Sequence, residues 1–261
     1  MIRHLLAAVA VLTLTATTTQ AGNRDPLSSL AWDDLRAEYL GDAPVVYDYM
    51  VRLIMPKTVE DAFSVPLVIK ISDLIDPVVE IVVIAENNPI QAAAQIFPHR
   101  PIRAVGMNIR LEQTTPVRAA ALDSNGVWHV ASVRVKVNNP GGCSAPQALV
   151  AGGAGDIQVG EIAMKRFKRA DRATRLKIGI THPMDTGFAP GADGEIVPAY
   201  YVDAMTIADE DGPIAELVTW AALSSNPSFF FDLPESRQSV RVTASDTHGL
   251  AFEGLDPAPS M

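Results

Sequence analysis

The stretch from Val117 to Val137, "VRAAALDSNGVWHVASVRVKV", decides how the rest of the chain reads. Two runs of strand-forming residues flank Ser124-Asn125-Gly126. Asn-Gly tolerates the positive φ angles of a type I′ turn, so the stretch predicts an antiparallel hairpin. The same habit extends upstream through "VRLIMP", "VPLVIKI", "VVEIVVIA" and "MNIRLEQ", β-branched runs bounded by Pro, Asp, Asn and Gly. It resumes downstream in "ATRLKIGITH", "YYVDAMTIAD", "PIAELVTW", "SFFFDLP" and "SVRVTASD", with "DEDG" and "DTHG" as turns. Short strands at this spacing, with no long amphipathic helices between them, predict an all-β chain of two small β-sandwiches in series. One short helix is expected in "DPLSSLAWDDLRAEYLGD". Ser28 or Ser29 can cap it, Leu35 and Tyr39 form an i, i+4 apolar pair, and Gly41 can end it.

The chain has 261 residues, enough for two domains of ordinary size. Its first residues, "MIRHLLAAVAVLTLTATTTQA", combine a basic start at Arg3, an apolar run from Leu5 and small residues at Thr19 and Ala21. That pattern predicts a secretory signal peptide over residues 1–21 and a periplasmic product. No later segment holds the 18 or so uninterrupted apolar residues of a membrane span. The formal charge of -9 argues against nucleic acid as a partner.

An exported protein often carries disulfides, yet the single cysteine, Cys143, cannot close one within the chain. It lies in "NNPGGCSAPQALVAGGAGD", whose glycines and lack of periodicity predict a flexible linker over residues 141–157. On that reading Gly141, Gly142 and Ser144 form an arm around a water-facing thiol. With no basic neighbour, such a thiol titrates near the ordinary cysteine value and is a poor nucleophile by itself, but it is a usable attachment point.

Other residues carry weaker signals. His99, His129, His182 and His248 fall in four segments with no partner at metal-ligand spacing, so no metal site is expected. His129 on a strand reads as structural, and His182, before a proline, is the candidate to orient the thiol in a Cys143–His182 pair. The basic run "MKRFKRADRATRLK" reads first as an edge strand guarded by charge. Its sharper reading is a docking patch of Lys165, Arg166, Lys168 and Arg169 for an acidic redox partner. "GGAGDIQVG" lacks the Lys-Ser/Thr of a phosphate loop, "PGADGE" is too short for a calcium loop, and no cofactor is expected.

"VPLVIKI", "ENNPIQAAAQIF", "NIRLEQTTPVRAAA" and "ASVRVKVNNPGGC" together resemble the SoxY carrier subunit of periplasmic sulfur oxidation, whose cysteine sits in a terminal Gly-Gly-Cys-Gly-Gly arm. "THPMDTGFAPGADGEIVPAYYVDAMTI" and "SSNPSFFFDL" resemble SoxZ, its small partner subunit. The whole is similar to fused SoxYZ-like carriers associated with quinoprotein dehydrogenases. This resemblance implies immunoglobulin-like sandwiches over residues 22–140 and 158–261. It also implies that Cys143 holds a pathway intermediate covalently, that Gly141 and Gly142 let it swing, and that the protein is a carrier rather than an enzyme. The implied partners are Sox-type enzymes, or a quinoprotein dehydrogenase and a c-type cytochrome. The chain departs from the SoxY pattern by following the cysteine with Ser-Ala-Pro and by tethering the arm at both ends, which limits the space it explores. The rival readings are a non-covalent docking subunit that uses the basic run, and a thiol enzyme that uses His182.

Overall fold

The computed structural model describes residues 24–146, 158–169, 173–235 and 238–256. The signal segment at 1–21 and most of the expected linker, 147–157, lie outside the described residues. The first half holds α1 (Trp32–Leu40), β1 (Val45–Val46), β2 (Val51–Ile54), β3 (Thr58–Val59), β4 (Val65–Ile71), β5 (Val78–Ala85), β6 (Ala92–Pro98), β7 (Ala104–Ile109), β8 (Thr115–Asp123) and β9 (Trp128–Val137). The second half holds β10 (Ile162–Lys168), β11 (Ala173–Ile180), β12 (Val202–Asp209), β13 (Gly212–Thr219), β14 (Ser228–Pro234), β15 (Val240–Asp246) and β16 (Ala251–Asp256).

Each half is a two-layer, immunoglobulin-like sandwich, and the two stand in tandem. They are also joined edge to edge in both layers. One sheet runs β1-β9-β8-β5-β6-β13-β12-β15-β16, with β3 also on β9, and the other runs β10-β11-β14-β7-β4-β2. The seams are antiparallel: β6 meets β13 from Ala94↔Thr219 to Pro98↔Ala215, and β7 meets β14 from Ala104↔Asp232 to Met107↔Phe229. A single apolar core therefore passes through both halves, from Val51 and Ile69 to Phe231 and Val242. Pairing each edge with the other half removes four exposed strand edges that would otherwise invite aggregation. At one seam Phe230 lies over Gly106, where a Cβ would fall 1.9 Å from its ring. Across the other, Arg100 donates two hydrogen bonds to Asp209, at 2.7 and 2.6 Å.

Local chemistry explains the strands. β2 and β4 alternate buried and exposed positions, as a half-covered sheet requires. The end of β5 and nearly all of β8 are buried on both faces, because α1 covers the outer one. Trp32, Leu35 and Leu40 pack there on Val82, Ile84, Ala120, Trp128 and Val130.

The helix ends near the expected Gly41, which has φ +63, but its start differs. Neither Ser28 nor Ser29 caps it; the N-cap is Ala31, without a side-chain bond. Ser29 Oγ donates instead to Glu86, and the Asp25 carboxylate takes the Leu27 and Ser29 amides at 3.1 and 2.8 Å. Asp25 and Glu86 together hold the guanidinium of Arg118, which is fully buried over the Trp32 ring. This ionic knot ties the N-terminal segment to the sheet.

The β8–β9 hairpin forms as the Asn-Gly signal predicts, with a different turn. Only Gly126 takes a positive φ, +81, whereas type I′ requires two such residues. The Asp123 carboxylate replaces it by accepting from the amides of Asn125 (3.0 Å) and Val127 (2.9 Å). "DTHG" repeats the device: Asp246 accepts from His248 and Leu250, at 2.9 and 3.0 Å.

Candidate functional site

The site forms where three segments meet at one end of the seam. The chain leaving β7 supplies Arg110, Leu111 and Glu112; the chain leaving β9 supplies Gly141 to Ala145; and the long loop between β11 and β12 supplies Pro183 to Val197. Buried Asn88 fastens the first of these, donating to Arg110 O at 2.8 Å and accepting from Glu112 N at 2.8 Å.

Cys143 is not water-facing. It is 1 % exposed, and its flanking residues are docked as a turn. Gly141 N donates to Glu112 O (2.7 Å), Gly142 N to Leu111 O (3.2 Å) and Ala145 N to Gly141 O (2.8 Å). From the second half, Thr186 Oγ1 donates to Cys143 O at 2.6 Å. Gly141 takes a φ of +111, which favours glycine, whereas Gly142 serves close contact. A Cβ on Gly142 would lie 2.3 Å from Ala62 O and 2.5 Å from Leu111 O, so any side chain would lift the turn from its seat. The missing periodicity that suggested exposure reflects a turn held by backbone carbonyls and one carboxylate.

The electrostatics follow. Burial, and then the charge of Glu112, push the Cys143 thiol up to about 12, against the pull of Arg110. Arg110, 3 % exposed, sits beneath the turn and donates to Gly142 O (3.2 Å), Met184 O (3.2 Å), Leu223 O (3.1 Å) and Ser225 Oγ (2.8 Å). Burial lowers its own value. Burial also raises Asp185, which Arg110 and His182 partly offset. The thiol lines a pocket of about 480 Å³ whose walls include Pro146, Met184, Ala189, Pro190 and Val197. Most of that lining is apolar carbon, with Arg110 and Asp185 as its charged members.

His182 does not partner the thiol. Its Nδ1 accepts from Met184 N at 3.2 Å, which leaves the proton on Nε2, 3.5 Å from Asp246 Oδ2. Its ring packs on Tyr200, with centroids 4.4 Å apart, and Tyr200 stacks on His248 at 4.0 Å. Burial lowers the His182 value although Asp246 opposes it. Nδ1 is thus committed to the loop and Nε2 is turned to Asp246 at the end of β15, so neither ring nitrogen is paired with Cys143 as the expected base would be. His129 meets Asp48 at 2.8 Å, in keeping with a structural role.

Lys165, Arg166 and Lys168 lie on β10, the outer edge of the six-stranded sheet, and Arg169 follows them. Arg166 is bound to Asp256, and Lys165 Nζ lies 5.3 Å from the Phe167 ring centroid. The register runs from Ile162↔Ile180 to Lys168↔Thr174, so the basic run climbs away from the end of β11 that leads into the site. Patch and thiol do not share one end of the sheet. Among the described residues no His, Cys, Asp and Glu cluster could hold a metal ion, and no helix is long and apolar enough to cross a membrane.

Arg110 and Glu112 are the site residues that sequence reasoning missed. The signal available was "NIRLEQ", where charged residues interrupt a strand pattern just past its end, but nothing local said that they face a cysteine some thirty residues away.

Fold and site define an all-β protein of two joined sandwiches with one thiol seated where they meet. The chain matches the family model for sulfur oxidation protein SoxY over residues 36–143, a match that ends on the cysteine itself, and the model for sulphur oxidation protein SoxZ over residues 162–255. It belongs to these families as a single-chain fusion, SoxY part first. Among solved structures, the sulfur carrier protein SoxY from Chlorobium limicola f thiosulfatophilum is similar at 20% identity and a TM-score of 0.36, covering 42% of this chain and 97% of that one. No curated protein matches the chain.

Proposed function

We propose that this chain is a non-enzymatic carrier in sulfur oxidation that holds an intermediate covalently on Cys143 and presents it to partner enzymes in the periplasm. The observation that carries this reading is the seating of the chain's one thiol at the junction of a SoxY part and a SoxZ part, on a turn held by hydrogen bonds instead of a strand ladder. Those bonds can be exchanged for water when the turn lifts. Seated, a thiol with a value of about 12 is almost wholly protonated at neutral pH and does not attack. Released, it returns toward the ordinary cysteine value and becomes loadable. The arm of Gly141, Gly142 and Ser144 is therefore a two-position device, docked at rest and extended in a partner's active site. The neighbouring pocket gives a bound group apolar walls. Linking the SoxY and SoxZ parts in one chain keeps the two walls of the site together at any dilution.

The partners on this reading are Sox-type enzymes, or a quinoprotein dehydrogenase with a c-type cytochrome. The exposed Lys165, Lys168 and Arg169 offer an acidic partner a second contact away from the thiol. Intact mass spectrometry of native protein, with and without reductant, tests the carrier role. A reductant-sensitive mass increase on Cys143 is expected, together with loss of pathway activity in Cys143→Ser. Native protein with an unmodified thiol and a fully active Cys143→Ser variant would overturn it.

A further inference from the structure

One carboxylate closes the turn that bears Cys143. Glu112 Oε2 accepts from Cys143 N at 3.0 Å and Ser144 N at 3.1 Å, while Oε1 accepts from Ser144 Oγ at 2.5 Å. Its backbone carbonyl takes Gly141 N as well. Every amide from Gly141 to Ala145 thus donates a hydrogen bond in the docked state, and Glu112 receives three of the five. The Ser144 hydroxyl adds a contact that a glycine at this position could not make.

The charged groups around the sulfur come from two elements. Arg110 and Glu112 follow β7, and Asp185 lies on the second-half loop that walls the same pocket. Arg110 has its donors turned to the carbonyls of Gly142, Leu223 and Met184 and to Ser225. Glu112 turns its charge to the cysteine's own amide. A group attached to the sulfur therefore feels the Glu112 carboxylate, whose charge already opposes a negative charge on Cys143 and outweighs the pull of Arg110, in a partly buried site where like charges repel more than in bulk water.

We propose that Glu112 is a positioning residue that reads the charge of what Cys143 carries. It keeps the turn docked when the sulfur is free or bears a neutral or cationic group, and it releases the turn when that group is anionic. Loading with an anion then extends the arm, and unloading lets it return. This rests on the reading of Cys143 as the attachment point.

The test uses the full chain, loaded at Cys143 with 2-sulfonatoethyl, 2-hydroxyethyl or 2-aminoethyl methanethiosulfonate. In each case the thiolate attacks the thiosulfonate sulfur, an S–S bond forms, the S–SO₂ bond breaks, and methanesulfinate leaves with its electron pair. The three adducts share a linker and differ in charge. Hydrogen exchange at the amides of Gly141 to Ala145 reads release. The sulfonate adduct is expected to exchange at least about tenfold faster than the hydroxyethyl adduct, and the aminoethyl adduct no faster than the hydroxyethyl one. Glu112→Gln is expected to bring all three within about twofold of one another. Equal exchange of the three adducts in the parent protein, or an undiminished spread in Glu112→Gln, overturns the proposal. The carrier reading fails separately, through an active Cys143→Ser variant and unmodified native thiol, and that result leaves these exchange rates unchanged.

Discussion

Two buried arginines, Arg118 and Arg110, show how one residue type serves two purposes in this fold. Arg118 is fully buried between two carboxylates, with Glu86 at 2.6 Å and Asp25 on its other nitrogens, and Ser132 and the Trp32 ring complete its cage. All of these belong to the first half. Arg110 donates to carbonyls and a hydroxyl from the cysteine turn, the second-half loop and the chain after β13. A charge caged by opposite charges away from water cannot be undone piecemeal, because removing one partner strands another. A charge held by carbonyl dipoles tolerates the departure of one segment, since water can take the vacated donor. The first is a lock, and the second is a junction whose segments are held one by one.

The largest effect expected from this contrast is at the lock. Arg118→Met strands the buried Glu86 and should cost about 3–5 kcal/mol in urea denaturation; a loss below about 1 kcal/mol would erase the distinction. Next comes the thiol itself. Burial and Glu112 raise it from 9.0 to about 12, so the folded protein retains a proton that the unfolded chain releases across that interval. The associated stability is therefore complete below pH 9 and declines as pH rises from 9 toward 12, and Cys143→Ala should flatten that decline. By the same shift, iodoacetamide at pH 8 should label the native thiol at least about a hundredfold more slowly than the thiol of urea-unfolded protein. Equal rates would show that the turn is undocked in solution.

The junction should respond more mildly. Arg110→Met is expected to cost about 2 kcal/mol and to speed Cys143 labelling about tenfold, because the turn loses a support while both sheets keep theirs. Arg118→Met, by contrast, should lower stability without a specific gain in labelling of the native state. Gly142→Ala sharpens the comparison further. Its Cβ would strike Ala62 O and Leu111 O, so labelling should rise by about tenfold while stability falls by no more than about 1–2 kcal/mol. A docked, slowly labelled Gly142→Ala variant would mean that close approach is not what this glycine provides.

Several elements were legible because their causes are local. β4, β9 and β15 follow from runs of β-branched residues, and the three Asp-x-x-Gly turns follow from carboxylates that accept their own loop amides. β6 was not legible as a strand. "AAAQIFP" opens with three alanines of low strand propensity, and it becomes a strand because β5 and β13 pair with it on either side. Ser29 was misread for a related reason: a serine near a helix start caps it only when its oxygen faces the helix amides, and here the hydroxyl is turned to Glu86. The glycines beside Cys143 carry the same lesson. Glycine signals either freedom or close contact, and only the facing atoms distinguish the two.

By itself the sequence determined that the chain is all-β and two-part, and that it carries one thiol at the junction of a SoxY part and a SoxZ part. These follow from propensity, turn chemistry and motif, which act over a few residues. The tertiary structure alone decided that the two halves share continuous sheets and one core, that Cys143 is seated, and that Arg110 and Glu112 rather than His182 govern it. The Cys143 amide bonds a carboxylate 31 positions away, and its carbonyl bonds a hydroxyl 43 positions away. Contacts of that range exist only once loop closure has been offset by the packing of both sheets, and no local pattern encodes them.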